Sequence, residues 1–268
     1  MPGSDGAFGT VAVSVDGHVG TLTLNRPDQL NAFTVEMVDE CADALTMLSG
    51  SSVVRCIVIT GAGRAFCAGA DVGTLKAILA ANDEPAGRRI VDGARRIHAL
   101  IRGAPQPVIA SLNGVAAGGG ANLALGCDLR IAADTAKIGQ VFARLGLVPD
   151  WGGTFFLPRM VGTARALELF LGAELVEAAR LLELGLVNRV VPASALADAT
   201  TAWARQIAAA PPAAVRLVKA AVYQSAHAGL EQMLDWELEA QIACFRTDDF
   251  REGLAAFFEK REPKFTGS

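Results

Sequence analysis

Two glycine-bordered stretches hold the groups best suited to chemistry in this chain of 268 residues. The first reads Gly63-Arg64-Ala65-Phe66-Cys67-Ala68-Gly69-Ala70-Asp71, after the β-branched run Val53 to Thr60. The second leads from Pro107 to Leu112 through Gly114 to Gly118-Gly119-Gly120. Where a chain leaves a strand and enters a helix, backbone N–H groups have no intrahelical partner, and glycine leaves a ligand room to approach them. Two such groups converging make an oxyanion hole, in which one donor is typically worth about 2.7–4 kcal/mol to a developing anion. On composition alone the same glycines serve equally as tight turns and close-packing positions. A third candidate is Asp150, a carboxylate just ahead of Trp151-Gly152-Gly153; by residue type it also suits the N-cap of a helix starting near Gly152.

Other site chemistries find no support. Phe66 and Leu123 stand where a dinucleotide fingerprint needs glycine, and there is no G-K-[ST] phosphate loop. His18, His98 and His227 show no metal-ligand spacing, and no G-x-S-x-G elbow accompanies a serine. The five cysteines, Cys41, Cys56, Cys67, Cys127 and Cys244, are odd in number and lack a C-x-x-C pair, so buried thiols in a reducing cytosol are expected.

The elements that must position these groups alternate along the front half. Thr10 to Val15 and Val19 to Leu24 read as strands of a hairpin about Asp16-Gly17-His18. From the N-cap Thr34, apolar Val38, Cys41, Ala42, Leu45 and Leu48 recur at helical spacing. Val53 to Thr60 is a buried strand, Arg89 to Ile101 a helix, Pro107 to Leu112 a strand, and Leu123 to Ala132 a helix end running into a strand. Beyond Asp150 the pattern is helical: Thr163 to Leu171, Val176 to Leu184, Ala195 to Ala209, Ala213 to Gln224, Gly229 to Phe245, and a last helix from Thr247, broken at Pro211-Pro212. The expected division is a core over residues 1–200 and a helical region over 201–268.

Hydrophobic residues at 51% and charged residues at 19% describe an ordinary α/β globular chain. A formal charge of -4 provides no basic field for nucleic acid or an anionic membrane. Met1 to Thr10 lacks the basic and apolar regions of a leader, and no segment offers some eighteen apolar residues in a row. A cytoplasmic protein without nucleic-acid or membrane partners is expected.

The wording of the loops carries more than their composition. Asn25-Arg26-Pro27 with Asn31-Ala32, then Ala65 to Asp71, then Pro107-Val108-Ile109-Ala110-Ser111-Leu112-Asn113-Gly114 through Gly120 and Cys127-Asp128, resemble the crotonase (enoyl-CoA hydratase/isomerase) superfamily. The order holds from about Thr10 to Phe265, including Ala256-Phe257-Phe258-Glu259-Lys260-Arg261. The resemblance implies an α/β, crotonase-like (ClpP/crotonase) right-handed superhelix of strand-strand-helix repeats. Its helical C-terminal region would build a homotrimer, often stacked as a hexamer. It assigns the oxyanion donors to the N–H groups of Ala70 and Gly119. It also places coenzyme A near Ala68, Asp71 and Val72, with Phe257 and Lys260 reaching a neighbouring subunit's site. Coenzyme A enters as part of an acyl-CoA thioester substrate, and no permanently bound cofactor is implied.

Hydratases of this superfamily use two glutamates, whose places here hold Asn122 and Phe142. An amide and a phenyl ring do not activate water as paired carboxylates do. The segment Leu145 to Thr154, with Leu157-Pro158-Arg159 and Gly162, is similar instead to the isomerase branch that includes the ring-epoxide isomerase of phenylacetate breakdown. There Asp150 matches a catalytic aspartate that moves a proton from beside the thioester carbonyl to a position two carbons away. Phe142 and Trp151 are expected to shape an apolar acyl pocket, with Asn122 beside them. Three alternatives stay open: a hydratase using water bound by Asn122 and Asp150, a dehalogenase or hydrolase with Asp150 as nucleophile, and a non-catalytic acyl-CoA-binding protein.

Overall fold

The computed structural model describes residues 8–268, so the leader-free reading of Met1 to Thr10 falls largely outside the described residues. The front half runs β1 (Val11–Asp16), β2 (Val19–Leu24), α1 (Val35–Gly50), β3 (Cys56–Gly61), β4 (Ala65–Cys67), α2 (Val72–Ala81), α3 (Glu84–Gly103), β5 (Val108–Leu112), β6 (Val115–Ala117), α4 (Gly119–Gly126), β7 (Leu129–Ala133) and β8 (Lys137–Gly139). There follow α5 (Gly153–Val161), α6 (Thr163–Gly172), β9 (Leu175–Glu177), α7 (Ala178–Glu183), β10 (Arg189–Val191), α8 (Leu196–Ala208), α9 (Pro212–Ser225), α10 (Leu230–Phe245) and α11 (Asp248–Glu259).

The strands sort into two sheets in a regular way. A six-stranded sheet has the order β1-β2-β3-β5-β7-β10, and a four-stranded sheet the order β4-β6-β8-β9. The pairs β3/β4, β5/β6 and β7/β8 are successive turns of one winding, each giving one strand to each sheet. Within those turns neighbours are parallel, Ile59 opposite Ala110 and Ser111 opposite Ile131. Parallel neighbours require crossover connections, and crossovers are right-handed, which makes the whole a right-handed superhelix. β5 is buried along its full length, as expected of a parallel strand covered on both faces.

The helices owe their limits to recognisable chemistry. Thr34 caps α1 by accepting from Met37 N at 3.2 Å, and the helix buries Met37, Val38, Cys41, Ala42, Ala44, Leu45 and Leu48. α3 starts at Glu84, five residues before the expected Arg89, because Asp83 accepts from Ala86 N at 3.0 Å and Pro85 occupies the first turn, where its missing N–H costs nothing. The expected single helix from Val176 to Leu184 is corrected: Val176 lies in β9, paired antiparallel with β8, and the helix begins only at Ala178. α2 has no buried residue, although Val72, Leu75, Ile78 and Leu79 recur along it at helical spacing.

α8 spans residue 200 and lies against β2, β3, β5 and β7, with Trp203 and Ala204 buried. α9 is fastened to the same body by a buried ion pair. Lys219 Nζ lies 2.7 Å from Asp128 Oδ2 and donates to the carbonyls of Ile101 at 2.7 Å and Gln106 at 2.9 Å. Asp128 also accepts from Val108 N at 2.7 Å and from the Tyr223 hydroxyl. No described helix is long and apolar enough to cross a membrane.

The start of α4 sits so tightly on β4 that a Cβ on Gly120 would stand 2.3 Å from Cys67 O and 2.7 Å from its Sγ. Backbone cannot yield there without moving the strand. Gly120→Ala is expected to destabilise the protein by about 1–3 kcal/mol, the usual cost of overpacking, read as a lowered denaturant midpoint at unchanged slope; an unchanged midpoint refutes the close approach.

Candidate active site

The β4 to α2 junction is shaped by polar side chains that leave little freedom to its backbone. Asn31, fully buried, accepts from Arg26 N at 2.9 Å and donates to Ala62 O at 2.9 Å and Ala65 O at 2.8 Å. Asn113 accepts from Gly61 N at 3.2 Å and donates to Gly63 O at 2.9 Å. These bonds hold the loop to the first turn of the winding and to β5.

The loop then docks on Phe33. Phe33 N donates to Gly69 O at 2.7 Å and Asp71 N donates to Phe33 O at 2.9 Å, so the intervening Ala70 N–H points the other way. Gly69 adopts φ 93°, and a Cβ there would stand 2.8 Å from Ala117 O and 3.4 Å from Gly119 N. Only glycine allows the two loops to lie this close. Gly118 N is bonded to Gly139 O at 2.9 Å, whereas Gly119 N opens α4 and falls among its partnerless first-turn donors. Among the described residues neither Ala70 N nor Gly119 N donates within the chain. The two amides named in the sequence are therefore neighbours with free N–H groups.

Asp150 reaches this place through the residue that follows it. Trp151 is buried, and its ring stacks on Phe33 with centroids 4.2 Å apart and planes 6° from parallel. The opposite edge of the contact is Gly119, where a Cβ would lie 3.3 Å from the indole. One ring thus touches the second loop and the residue on which the first loop docks. Trp151 takes φ 47° and Gly152 φ 75°, a left-handed pair closed by Gly153 N donating to Asp150 O at 2.9 Å. Gly153 opens α5, and Gly152 is its N-cap, so the Asp150 side chain is not the cap of that helix.

Electrostatics set the Asp150 carboxyl apart. Its Oδ1 is buried with no hydrogen-bond partner, and burial pushes its pKa up to about 6, against a lowering contribution from its own N–H. A carboxyl poised near neutrality can take and return a proton. His98, from α3, lies behind the turn with Nε2 3.0 Å from Trp151 O. Burial holds it down to about 4, the bond to Trp151 working the other way, so it is neutral at pH 7 and its Nε2 carries the proton facing the carbonyl.

The remaining expected site residues fall into separate places. Asn122 is fully buried and its carboxamide is committed at both ends, Nδ2 donating to Asp150 O at 2.8 Å and Oδ1 accepting from Gln140 Nε2 at 2.7 Å. Phe142 is buried beside the second loop, its ring tip 3.7 Å from a Cβ placed on Gly118. Trp151, buried to 3% exposure, supports the loops from within rather than lining open space. Ala68 is half-buried and donates to Leu30 O at 3.0 Å. Asp71 is the cap of α2, accepting from Thr74 N at 2.8 Å and pairing with Arg26 at 3.2 Å; burial opposes ionisation, but these partners hold the carboxyl below its ordinary range. Val72 is largely exposed at the start of α2, and Phe257 and Lys260 are exposed on and just beyond α11.

Phe33, Gln140 and His98 belong to the site by geometry, and their sequence neighbourhoods gave no reason to join them to it. Gln140 follows Gly139 near a recognised pattern, but its partner is set by the β8 to α4 contact. The arrangement as a whole offers two N–H donors without partners among the described residues and a carboxyl whose pKa is raised to about 6, groups suited to stabilising and reprotonating an enolate.

The chain is similar to known proteins over nearly its whole length. Residues 15–268 match the enoyl-CoA hydratase/isomerase family. The chain is 42% identical over 259 residues to the 1,2-epoxyphenylacetyl-CoA isomerase of Escherichia coli (strain K12), covering 94% of this chain and 97% of that protein. It is 39% identical over 259 residues to a probable enoyl-CoA hydratase of Mycobacterium bovis, covering 97% and 98%. The crystal structure of an enoyl-CoA hydratase from Bacillus anthracis superposes with a TM-score of 0.92 at 37% identity, over 97% of this chain and all of that one.

The raised carboxyl makes a prediction about stability. Between the ordinary value of 3.8 and about 6, folded Asp150 keeps a proton that the unfolded chain has released, so its contribution to stability falls as pH rises through that window. Asp150→Asn removes this penalty. The variant is expected to be more stable than the parent by about 1–2 kcal/mol at pH 8 and nearly equal to it at pH 4, measured by chemical denaturation at both pH values; an equal difference at both contradicts the buried carboxyl.

Proposed function

The chain belongs to the enoyl-CoA hydratase/isomerase family and is an acyl-CoA enzyme, and from that premise we propose that it is an enoyl-CoA isomerase with Asp150 as its acid-base group. The observation that carries this reading is the partly buried carboxyl of Asp150, with Oδ1 buried and its pKa raised to about 6, on a turn packed directly against Gly119. In this reading the ionised carboxylate takes a proton from the carbon next to the thioester carbonyl of a β,γ-enoyl-CoA. The electron pair delocalises onto the thioester oxygen, where the Ala70 and Gly119 N–H groups receive the charge. The same carboxyl returns the proton two carbons away, leaving the double bond conjugated with the carbonyl. One base suffices, because the proton removed is the proton returned.

Addition of water has less support. It needs a group to place the water and another to take its proton. The two glutamate places hold Phe142, which has no lone pair to offer, and Asn122, whose carboxamide is already bonded to Asp150 O and Gln140. Similarity to an isomerase in Escherichia coli favours the same direction. Within this proposal the coenzyme A runs past Ala68, Asp71 and Val72, and the exposed Phe257 and Lys260 serve a neighbouring subunit of a trimer.

The deciding experiment compares Asp150→Asn with the parent on a β,γ-enoyl-CoA and on crotonyl-CoA, following the enoyl-thioester absorbance. The parent is expected to isomerise the first and to leave the second essentially unhydrated. Asp150→Asn should lower kcat by about 10²–10⁴ while still binding the ester, the loss expected for a positioned acid-base group. The parent's kcat/KM should fall below a pH of about 6 as the base is protonated. Unaltered turnover in the variant, or efficient hydration by the parent, refutes the assignment.

A further inference from the structure

Four buried side-chain polar atoms lack a hydrogen-bond partner among the described residues, and three of them, His98 Nδ1, Gln140 Oε1 and Asp150 Oδ1, cluster around one turn. The three residues are joined by contacts that end on main chain. Gln140 Nε2 donates to Asn122 Oδ1, Asn122 Nδ2 donates to Asp150 O, and His98 Nε2 donates to Trp151 O. Two consecutive carbonyls are therefore gripped from two different helices, α4 and α3. The grip is tight, since a Cβ on Gly153 would stand 2.4 Å from Asn122 Nδ2 and one on Gly126 would stand 2.2 Å from His98 Cε1.

The gripped turn is one that a bulky residue does not hold unaided. Trp151 sits in the left-handed region, where surroundings must over-determine the backbone. Its ring is fixed between Phe33 and Gly119, so rotation of the Asp150 to Trp151 peptide is the freedom left, and the two carbonyl bonds remove it.

We propose that Asn122, braced by Gln140, and His98 are positioning residues that aim the Asp150 carboxylate at the oxyanion donors by clamping the two consecutive carbonyls of its turn. This rests on the reading of Asp150 as the base. It gives Asn122 a task at the place where hydratases carry a glutamate: the residue orients the base instead of holding water. His98 acts through Trp151 O and touches no reacting atom.

The test uses the full chain with Asn122→Leu and His98→Leu, which remove each grip, and His98→Gln, which keeps an N–H donor. Asn122→Ser provides a smaller change should the leucine variant fail to fold. Turnover of a β,γ-enoyl-CoA is measured with the pH profile, and the Asp150 carboxyl is titrated directly by carbon-13 NMR. Loss of either grip is expected to lower kcat by about 10–100-fold with KM within about threefold, as a misplaced catalytic group does. The carboxyl should titrate below its parent value of about 6 in those variants as water reaches it, and His98→Gln should restore most of the rate. Unchanged kcat and unchanged titration in folded Asn122 and His98 variants overturn the clamp and leave the base assignment standing. A shifted titration in the clamp variants, with full turnover in Asp150→Asn, instead keeps the clamp and overturns the base.

Discussion

The contact on which the site depends is the indole of Trp151 lying flat between Phe33 and Gly119. Phe33 fixes the direction of the Ala70 N–H through its two backbone bonds, Gly119 supplies the second N–H, and Asp150 is the residue before the tryptophan. A single aromatic side chain therefore registers both donors and the carboxyl against one another. Dense packing transmits small displacements, so the three functional groups are placed by van der Waals contact as much as by hydrogen bonds. The winding of the chain makes that contact possible, because successive turns bring the ends of β4 and β6 side by side.

The proposed base is tuned by burial. Nothing charged needs to approach Asp150 for its pKa to rise; burial outweighs the bond from its own N–H. His98, more deeply buried, moves in the opposite direction and stays neutral, as desolvation demands of a base whose charged form is the cation. At pH 7 His98 is therefore neutral, while Asp150, raised only to about 6, is mostly ionised and free to take a proton.

Much of this could be read from the residues. Strands β2, β3 and β5 announce themselves as short β-branched runs between turn residues, and α1 by Thr34 and its apolar spacing. Ala70, Gly119 and Asp150 were named through likeness to a family, and the geometry puts their loops in contact. What was hidden depends on tertiary partners. α2 buries none of its ten residues, and its apolar positions Val72, Leu75, Ile78 and Leu79 span too short a run to stand out beside the glycine loop before it. β9 is three residues long and exists because β8 is beside it. Asn122 reads as a pocket residue in sequence, and only the fold shows its amide spent on Asp150 O. His98 has nothing around it in sequence to mark it out, since its one bond reaches 53 residues along the chain.

The ion pair between Lys219 and Asp128 has a consequence for the back half of the molecule. Both partners are nearly withdrawn from solvent, with side-chain exposures of 7% and 12%, and Asp128 directly precedes β7 in the catalytic body. A buried carboxylate deprived of its cation costs on the order of 3–5 kcal/mol. The terminal helices are consequently not a detachable appendage: shearing them away would strand a negative charge beneath the main sheet, so the region that reads as an accessory for assembly is also a counter-ion for the core, and the two halves can be expected to melt as one.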